Sequence, residues 1–344
     1  MNIVILAGGI SPERDVSLNS GKMIYDALKQ KGHQVILLDV YLGYEAEFFG
    51  DFAVIFSQNI DWAADIVAIK SESPDIEAVK LRRTDGDKNF FGPNVINLCQ
   101  AADIVFIALH GESGENGKIQ ASFDLMGIRY TGSGHMSSAI AMDKTLAKEL
   151  FGWHGIPTPR SLSFNKNETN KLPEEMGYPV IVKANNGGSS VGVGIAGNDV
   201  EYANALTEAF RYDDIALVEQ YIEGREFSVA ILAGKALPVI EIAPKQGFFD
   251  YHNKYQPGAT VETCPAGIPA ETALELQQLA EKVYKILRLS NYARVDFMMD
   301  GKGKIYCLEA NTLPGMAPTS LLPQEAVAVG ISFGDLCEQI IAGV

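Results

Sequence analysis

Arg294-Val-Asp-Phe-Met-Met-Asp-Gly-Lys-Gly-Lys-Ile-Tyr-Cys-Leu-Glu-Ala-Asn311 is the stretch that decides how this chain is read. Two strand-like runs flank Asp300-Gly301-Lys302-Gly303, and glycine accepts the positive φ that tight β-turns need, so the stretch predicts a hairpin. Side chains alternate faces along a strand. Arg294 and Asp296 therefore share a face, as do Glu309 and Asn311. With an even loop count, Arg294 stands opposite Glu309 and all four polar groups gather on one face. Three are hard oxygen ligands and one is a guanidinium, a grouping that suits Mg²⁺ beside a phosphate better than a core. Val295, Phe297, Ile305, Tyr306 and Leu308 supply apolar surface to bury. A surface hairpin with a solvated salt bridge is an equally good reading of this stretch taken alone.

Composition narrows the field. A chain of 344 residues, 47% hydrophobic, can bury a large core and is long enough for two or three domains. The formal net charge of -15 and a pI of about 4.8 argue against a nucleic-acid-binding surface, which needs a basic patch. Cys99, Cys264, Cys307 and Cys337 are scattered, with no CxxC, which speaks against a structural zinc site or a disulfide framework. The start reads as a first strand, and no apolar run is long enough to span a bilayer. The expectation is a cytoplasmic protein with neither nucleic acid nor membrane among its partners.

The first third alternates strand and helix. Residues 3–7 read as a buried strand, and Ser11-Pro12 as the cap and first turn of a helix reaching about residue 31. Strands are expected over 35–39 and 102–109, giving an open parallel α/β domain whose ligands gather at the carboxyl ends of strands. Glu13 and His110 both follow strand ends. Residues 42–98 give no clear reading. One helix is expected over 137–153. Strands are then expected over 179–183, 191–196 and 216–222, a hairpin over 226–243, and helices over 199–210 and 270–287. This mixture predicts one or two α+β domains behind the first. Residues 247–258 are aromatic, polar and bounded by glycine, which suits a lid.

Lys183-Ala-Asn-Asn-Gly-Gly-Ser-Ser-Val-Gly192 is a second chemical candidate. A glycine loop lets backbone N–H groups approach a phosphate, Ser189 and Ser190 add donors, and Lys183 supplies a cation. An ordinary Gly-rich turn is the favoured reading of this loop in isolation. Gly8-Gly9 with Asp39 suggests nicotinamide binding only weakly, because G-x-G-x-x-G is missing.

Taken together these stretches resemble the D-alanine-D-alanine ligases of the ATP-grasp superfamily. The resemblance runs through Gly8-Gly-Ile-Ser-Pro-Glu13, His110-Gly-Glu-Ser-Gly-Glu-Asn-Gly117, Tyr130-Thr-Gly-Ser-Gly134, Met142-Asp-Lys144 and Gly188-Ser-Ser-Val-Gly192. It continues through Asp250-Tyr-His-Asn-Lys-Tyr255, Cys264-Pro-Ala-Gly267 and Glu309-Ala-Asn-Thr-Leu-Pro-Gly-Met316. It implies an N-terminal open parallel-sheet α/β domain over 1–135 and two α+β ATP-grasp subdomains over 136–220 and 221–344. The implied activity is the ATP-dependent joining of two D-alanines through an acyl phosphate, for cell-wall precursors, by a homodimer.

The same resemblance assigns roles. Lys144, Lys183, Ser190 and Lys254 meet ATP phosphates, Glu219, Gln220, Tyr221 and Ile222 line the adenine site, and Glu226 holds the ribose. Asp296, Glu309 and Asn311 bind two Mg²⁺, with Mn²⁺ as an alternative. Glu13 takes the first ammonium and His110 sits beside that substrate. Lys254, Ser320 and Leu321 belong to the second. Arg294 and the Gly315 N–H stabilise the oxyanion, and Ser189, Tyr255 and Glu13 form a hydrogen-bond link that closes the lid. Leu313 stands where many of these ligases have serine, and Ala317-Pro318-Thr319 is less polar than the family pattern. The alternatives are a D-alanine-D-serine or D-alanine-D-lactate ligase, a ligase of another acid and amine, and a noncatalytic nucleotide binder on the same fold.

Overall fold

The computed structural model describes residues 1–48, 50–64, 66, 74–83, 85–86, 89–188, 192–245 and 258–344. β1 (Asn2–Ala7) runs parallel to β2 (Gln34–Asp39) on one side and β3 (Ile104–Ile107) on the other. Their near-continuous apolar runs are what a parallel strand covered on both faces requires. α1 (Arg14–Gln30) links β1 to β2 and buries Val16, Ile24, Tyr25 and Leu28 against them. It starts two residues later than Ser11-Pro12 suggests, with Glu13 in place of Ser11 at the N-cap. Ser11 Oγ donates to the His110 carbonyl at 2.8 Å, and the Arg14 N–H closes a turn on the Ser11 carbonyl at 3.1 Å. Arg14 is buried; it donates to the Gly9 carbonyl at 2.6 Å and pairs with Asp39. That pairing occupies the carboxylate a nicotinamide reading would have used.

Region 42–98 contributes a 3-10 turn (Phe52–Ser57), α2 (Ile76–Leu81) and α3 (Val95–Ala101). α4 (Glu112–Glu115) and α5 (Lys118–Met126) follow β3. The helix expected over 137–153 is two, α6 (His135–Met142) and α7 (Lys144–Trp153). Asp143 divides them with extended backbone, and its carboxylate accepts the Leu146 N–H at 3.0 Å and the Asn185 amide at 2.9 Å. An N-cap in midstream both ends one helix and starts the next.

Among the described residues, β4 (Ser161–Asn165), β5 (Val180–Ala184), β6 (Gly194–Ala196) and β7 (Ile215–Gln220) form an antiparallel sheet in the order β4-β7-β5-β6. α8 (Asp199–Ala209) covers it, burying Tyr202, Leu206 and Ala209. β4 escaped the sequence reading, being a largely exposed edge strand.

The last sheet, again among the described residues, runs β11-β10-β8-β12-β13, with β9 beside β8. Its strands are β8 (Gly224–Leu232), β9 (Lys235–Ala236), β10 (Ile240–Pro244), β11 (Thr260–Thr263), β12 (Tyr292–Asp300) and β13 (Ile305–Asn311). α9 (Ala270–Ile286) packs on one face through Leu276, Ala280 and Val283. α10 (Leu321–Ala328) and α11 (Phe333–Ala342) complete the fold. Leu322, Leu336, Ile340 and Ile341 from these helices join the core built around β1–β3. Asn291, at φ 63°, ties this junction: its Oδ1 accepts the Gly132 N–H at 2.9 Å and its Nδ2 donates to the Ile340 carbonyl at 2.7 Å.

The β12–β13 hairpin is present, with a different register. Arg294 stands opposite Asn311 and Asp296 opposite Glu309, two positions from the expected pairing: an odd number of residues, 300–304, separates the Met299–Ile305 pair at the turn, and a bulge at Leu308 then separates the Asp296 pair from Phe297 and Cys307. An extra residue on one strand shifts every later pair by one. Cys307 and Ala310 therefore take the core positions, and Leu308 turns to the same side as Glu309.

Candidate active site

The middle and last sheets face each other across a cleft of about 430 Å³. Ile181 and Ile195 line one wall, Met298 and Leu308 the other, and Gln220, Tyr221 and Ile222 the strand end between them. Apolar walls with backbone polar groups at one edge suit a flat heteroaromatic ring. Lys144, Lys183, Glu219, Glu226, Asp296 and Glu309 line the same cleft, so its far end is charged. Lys144 opens α7, where the sequence reading places it inside a single helix over 137–153, and donates to the Gly187 carbonyl at 2.6 Å. It also stands 3.3 Å from Glu309.

Glu219 is 1% exposed and lies between two lysines. Lys148 Nζ is 2.6 Å from Oε1 and Lys183 Nζ is 2.6 Å from Oε2. Burial alone would raise this carboxyl; the two lysines outweigh it and hold Glu219 below the usual carboxylate range. Burial likewise works against the Lys183 ammonium, but Glu219 and Glu309 raise it overall. Burial lowers Lys148, with Glu219 opposing. Glu219 is thus a charge anchor at the cleft floor as well as a lining residue. Lys148 is absent from the sequence-derived set. Its one signal was position: it lies on the buried stripe of α7 beside Ala147 and Phe151, where an unpaired lysine is rare.

Asp296 is a convergence point. Arg294 holds it in a two-pronged pair, Nε to Oδ1 at 2.9 Å and one terminal nitrogen to Oδ2 at 2.8 Å. Ser228 Oγ donates to Oδ1 at 2.7 Å, and the Asn311 amide to Oδ2 at 2.9 Å. Ser228, on the neighbouring strand, was not foreseen either. Among the described residues no three His, Cys, Asp or Glu side chains form a ready cation site. Two carboxylates and one amide do share a face, and such an all-oxygen set fits a hard divalent cation.

A smaller cavity of about 140 Å³ adjoins the cleft and shares Glu309 with it. Glu13, His110 and Arg294 line one side, Gly315, Ser320 and Leu321 another. Gly188 approaches Glu13 so closely that a Cβ there would lie 2.9 Å from Oε2, and a Cβ on Gly315 would lie 2.8 Å from Ser320 Oγ. A Cβ at either position would displace the facing Glu13 or Ser320 side chain. Glu115 also lines this cavity; its carboxyl accepts the Gly111 N–H at 2.8 Å and is pushed upward first by burial and then by Glu13.

His110 is fully engaged. Nδ1 lies 3.0 Å from the Leu313 carbonyl, which can only accept, so Nδ1 carries a proton. Nε2 lies 3.1 Å from Ser20 Oγ. Burial lowers this imidazole, and Glu13 opposes the effect. His110 therefore holds the 313–316 segment, rather than presenting a ring nitrogen to the cavity. Leu313 itself is buried and packs against Gly132. Ser189, Ser190, Lys254 and Tyr255, and the expected lid that carries the last two, lie outside the described residues.

Residues 2–133 match the family model described as D-ala D-ala ligase N-terminus, and residues 150–342 the model described as D-ala D-ala ligase C-terminus. The chain is 44% identical over 345 residues to the D-alanine--D-alanine ligase of Pediococcus pentosaceus, covering 100% of this chain and 97% of that protein. It is 43% identical over 344 residues to that of Lacticaseibacillus casei, covering 100% and 95%. Among solved structures, it resembles a Bacillus anthracis D-alanine--D-alanine ligase complexed with ATP, with TM-score 0.76, 29% identity and coverage of 100% and 97%. The VanG D-Ala:D-Ser ligase of Enterococcus faecalis also has TM-score 0.76, with 28% identity and coverage of 99% and 98%.

The buried triad makes a testable claim about stability. Lys148→Met leaves Glu219 with one lysine and removes the 2.6 Å bond from Lys148 to Thr158. The expected loss is about 3 kcal/mol, toward the low end for breaking a buried ion pair because Lys183 still faces the carboxylate. Urea unfolding of the variant beside wild type measures it. A loss below about 1 kcal/mol would match a solvated pair instead.

Proposed function

The chain belongs to the D-alanine-D-alanine ligase family, and on that premise we propose that it joins two D-alanines into D-alanyl-D-alanine with ATP, for peptidoglycan precursor synthesis. The observation that carries this reading is the sharing of Glu309 between the cation-lined cleft and the acid-lined cavity, which brings a phosphoryl donor and a zwitterion together. The carboxylate of the first D-alanine attacks the γ-phosphorus and ADP leaves. The amine of the second attacks the acyl phosphate carbonyl, loses a proton, and inorganic phosphate departs. Such chemistry asks the protein mainly for positioning and charge stabilisation.

In this proposal Gln220, Tyr221 and Ile222 border the adenine, Glu226 holds the ribose, and Lys144 and Lys183 meet phosphate oxygens. Glu219 keeps Lys183 charged and aimed. Asp296, Glu309 and Asn311 hold Mg²⁺, which when bound neutralises phosphate charge. Glu13, largely buried, binds the first ammonium, and His110 orders the segment bearing the Gly315 N–H. Arg294 and that N–H face the oxyanion. Ser320 and Leu321 border the acceptor. The parts assigned to Ser189, Ser190, Lys254 and Tyr255 rest on the family resemblance. The proposed division into 1–135, 136–220 and 221–344 is supported by one sheet falling within each range. No described helix is long and apolar enough to cross a membrane, and a cytoplasmic location accords with ATP as substrate.

Three outcomes test this reading. ADP release should depend on D-alanine and exceed that with D-serine or D-lactate as acceptor, because Leu321 offers a plain apolar wall. Release indifferent to D-alanine would overturn the reaction. Arg294→Ala should lower kcat by the equivalent of about 2.7–4 kcal/mol while changing the ATP KM little, since the guanidinium acts chiefly in the transition state. Weakened nucleotide affinity at unchanged kcat would instead make it a phosphate clamp. The homodimer is supported by the exposed Leu125, Met126 and Met136 of α5 and α6. Sedimentation equilibrium should give twice the 37.3 kDa chain mass, and a monomer mass would remove it.

A further inference from the structure

α10 begins at the smaller cavity. Leu321, its first residue, lines that cavity and packs on Ile240 and Ile242 of β10. One turn on, Glu325 lies on the same helix face and is 0% exposed. Its Oε2 accepts the backbone N–H of Ala230 at 2.6 Å.

The reason this N–H is available lies in the sheet. Among the described residues, β9 pairs with β8 only at Ile231 and Leu232, and β10 only at Glu226 to Ser228, so Ala230 sits at the gap between them. The Ala230 carbonyl still accepts from Leu237 at 2.8 Å, but the Leu237 carbonyl is taken by Gln277 at 2.8 Å. Glu325 supplies the acceptor the sheet lacks. On the other side of β8, Ala230 stands opposite Arg294.

We propose that Glu325 is a positioning residue for the second substrate, holding the Leu321 wall in register with the Arg294 guanidinium through the Ala230 N–H. This rests on the acceptor reading of Leu321 given above. The carboxyl acts as a neutral acceptor. Its Oε1 is buried with no hydrogen-bond partner among the described residues, a position that disfavours an ionised oxygen. Burial pushes the carboxyl well above its usual range; the Ala230 N–H and Arg294 oppose this, and Asp296 adds to it. A neutral acceptor of the same length should therefore replace it.

The experiment compares Glu325→Gln, Glu325→Met and Glu325→Asp in the full chain by steady-state ADP release. D-alanine is titrated widely enough to resolve its two KM values. Met removes the acceptor and Asp shortens its reach by one methylene. Each should raise the second KM about tenfold, the scale of one lost buried hydrogen bond, with the first KM and the ATP KM within about twofold of wild type. Gln should restore the second KM to within about twofold. Thermal melts accompany each variant, and if Met fails to fold, Asp against Gln decides. An unchanged second KM in Met and Asp overturns the proposal, as does a loss spread equally over all parameters or a Gln variant as impaired as Met. Wild-type protein that shows no D-alanine-dependent release would instead overturn the underlying reaction.

Discussion

Asp296 is a carboxylate held near the middle of a sheet, 7% exposed, and the neighbouring elements are arranged so that it can remain there. A buried carboxylate without donors is expensive. Here β12 supplies Arg294, β8 supplies Ser228 and β13 supplies Asn311. The alternate residues of β12, Val295 and Phe297, enter the core under α9. One strand thus fixes the polar face by packing its apolar one. Groups set on a central strand keep their spacing better than groups set on loops.

The cleft beyond it is built from alternating charge. Lys148, Glu219 and Lys183 form a plus-minus-plus series below its floor, and Lys144 faces Glu309 above. The chain carries a formal net charge of -15, yet its interior cations meet at the place a polyphosphate would need them. Net charge describes the protein's long-range field; local pairing decides what a cleft accepts.

How much of this could be read from residues alone follows from which forces are local. The polar hairpin face was legible, since period-2 alternation belongs to the strand itself. Its register was not, because a bulge at Leu308 depends on how two strands fit. The helix break at Asp143 was hidden for a similar reason: its carboxylate is shared with Asn185, some forty residues away in sequence. Lys148 and Ser228 were missed because a lone lysine on a helix and a lone serine on a strand carry no local pattern. His110 was noticed by its context, but the partners that set its tautomer lie on α1 and in the 313–316 segment. The full-length family matches supply identity where spacing alone left alternatives.

The end of the chain closes the core of its beginning. Leu336, Cys337, Ile340 and Ile341 of α11 share a core with Ile3, Ile5, Ile24 and Leu28, and the surface above is joined by Lys31 to Asp335 at 2.5 Å and His33 to Glu338 at 2.7 Å. The first sheet also leaves the ribosome before that helix does. A nascent chain that has made all of β1–β3 still lacks the apolar surface that α11 brings roughly two hundred residues later. Until α11 has been made, that seam stays open to water or to whatever shields nascent apolar surface, and the order of synthesis differs from the order in which the cores can close.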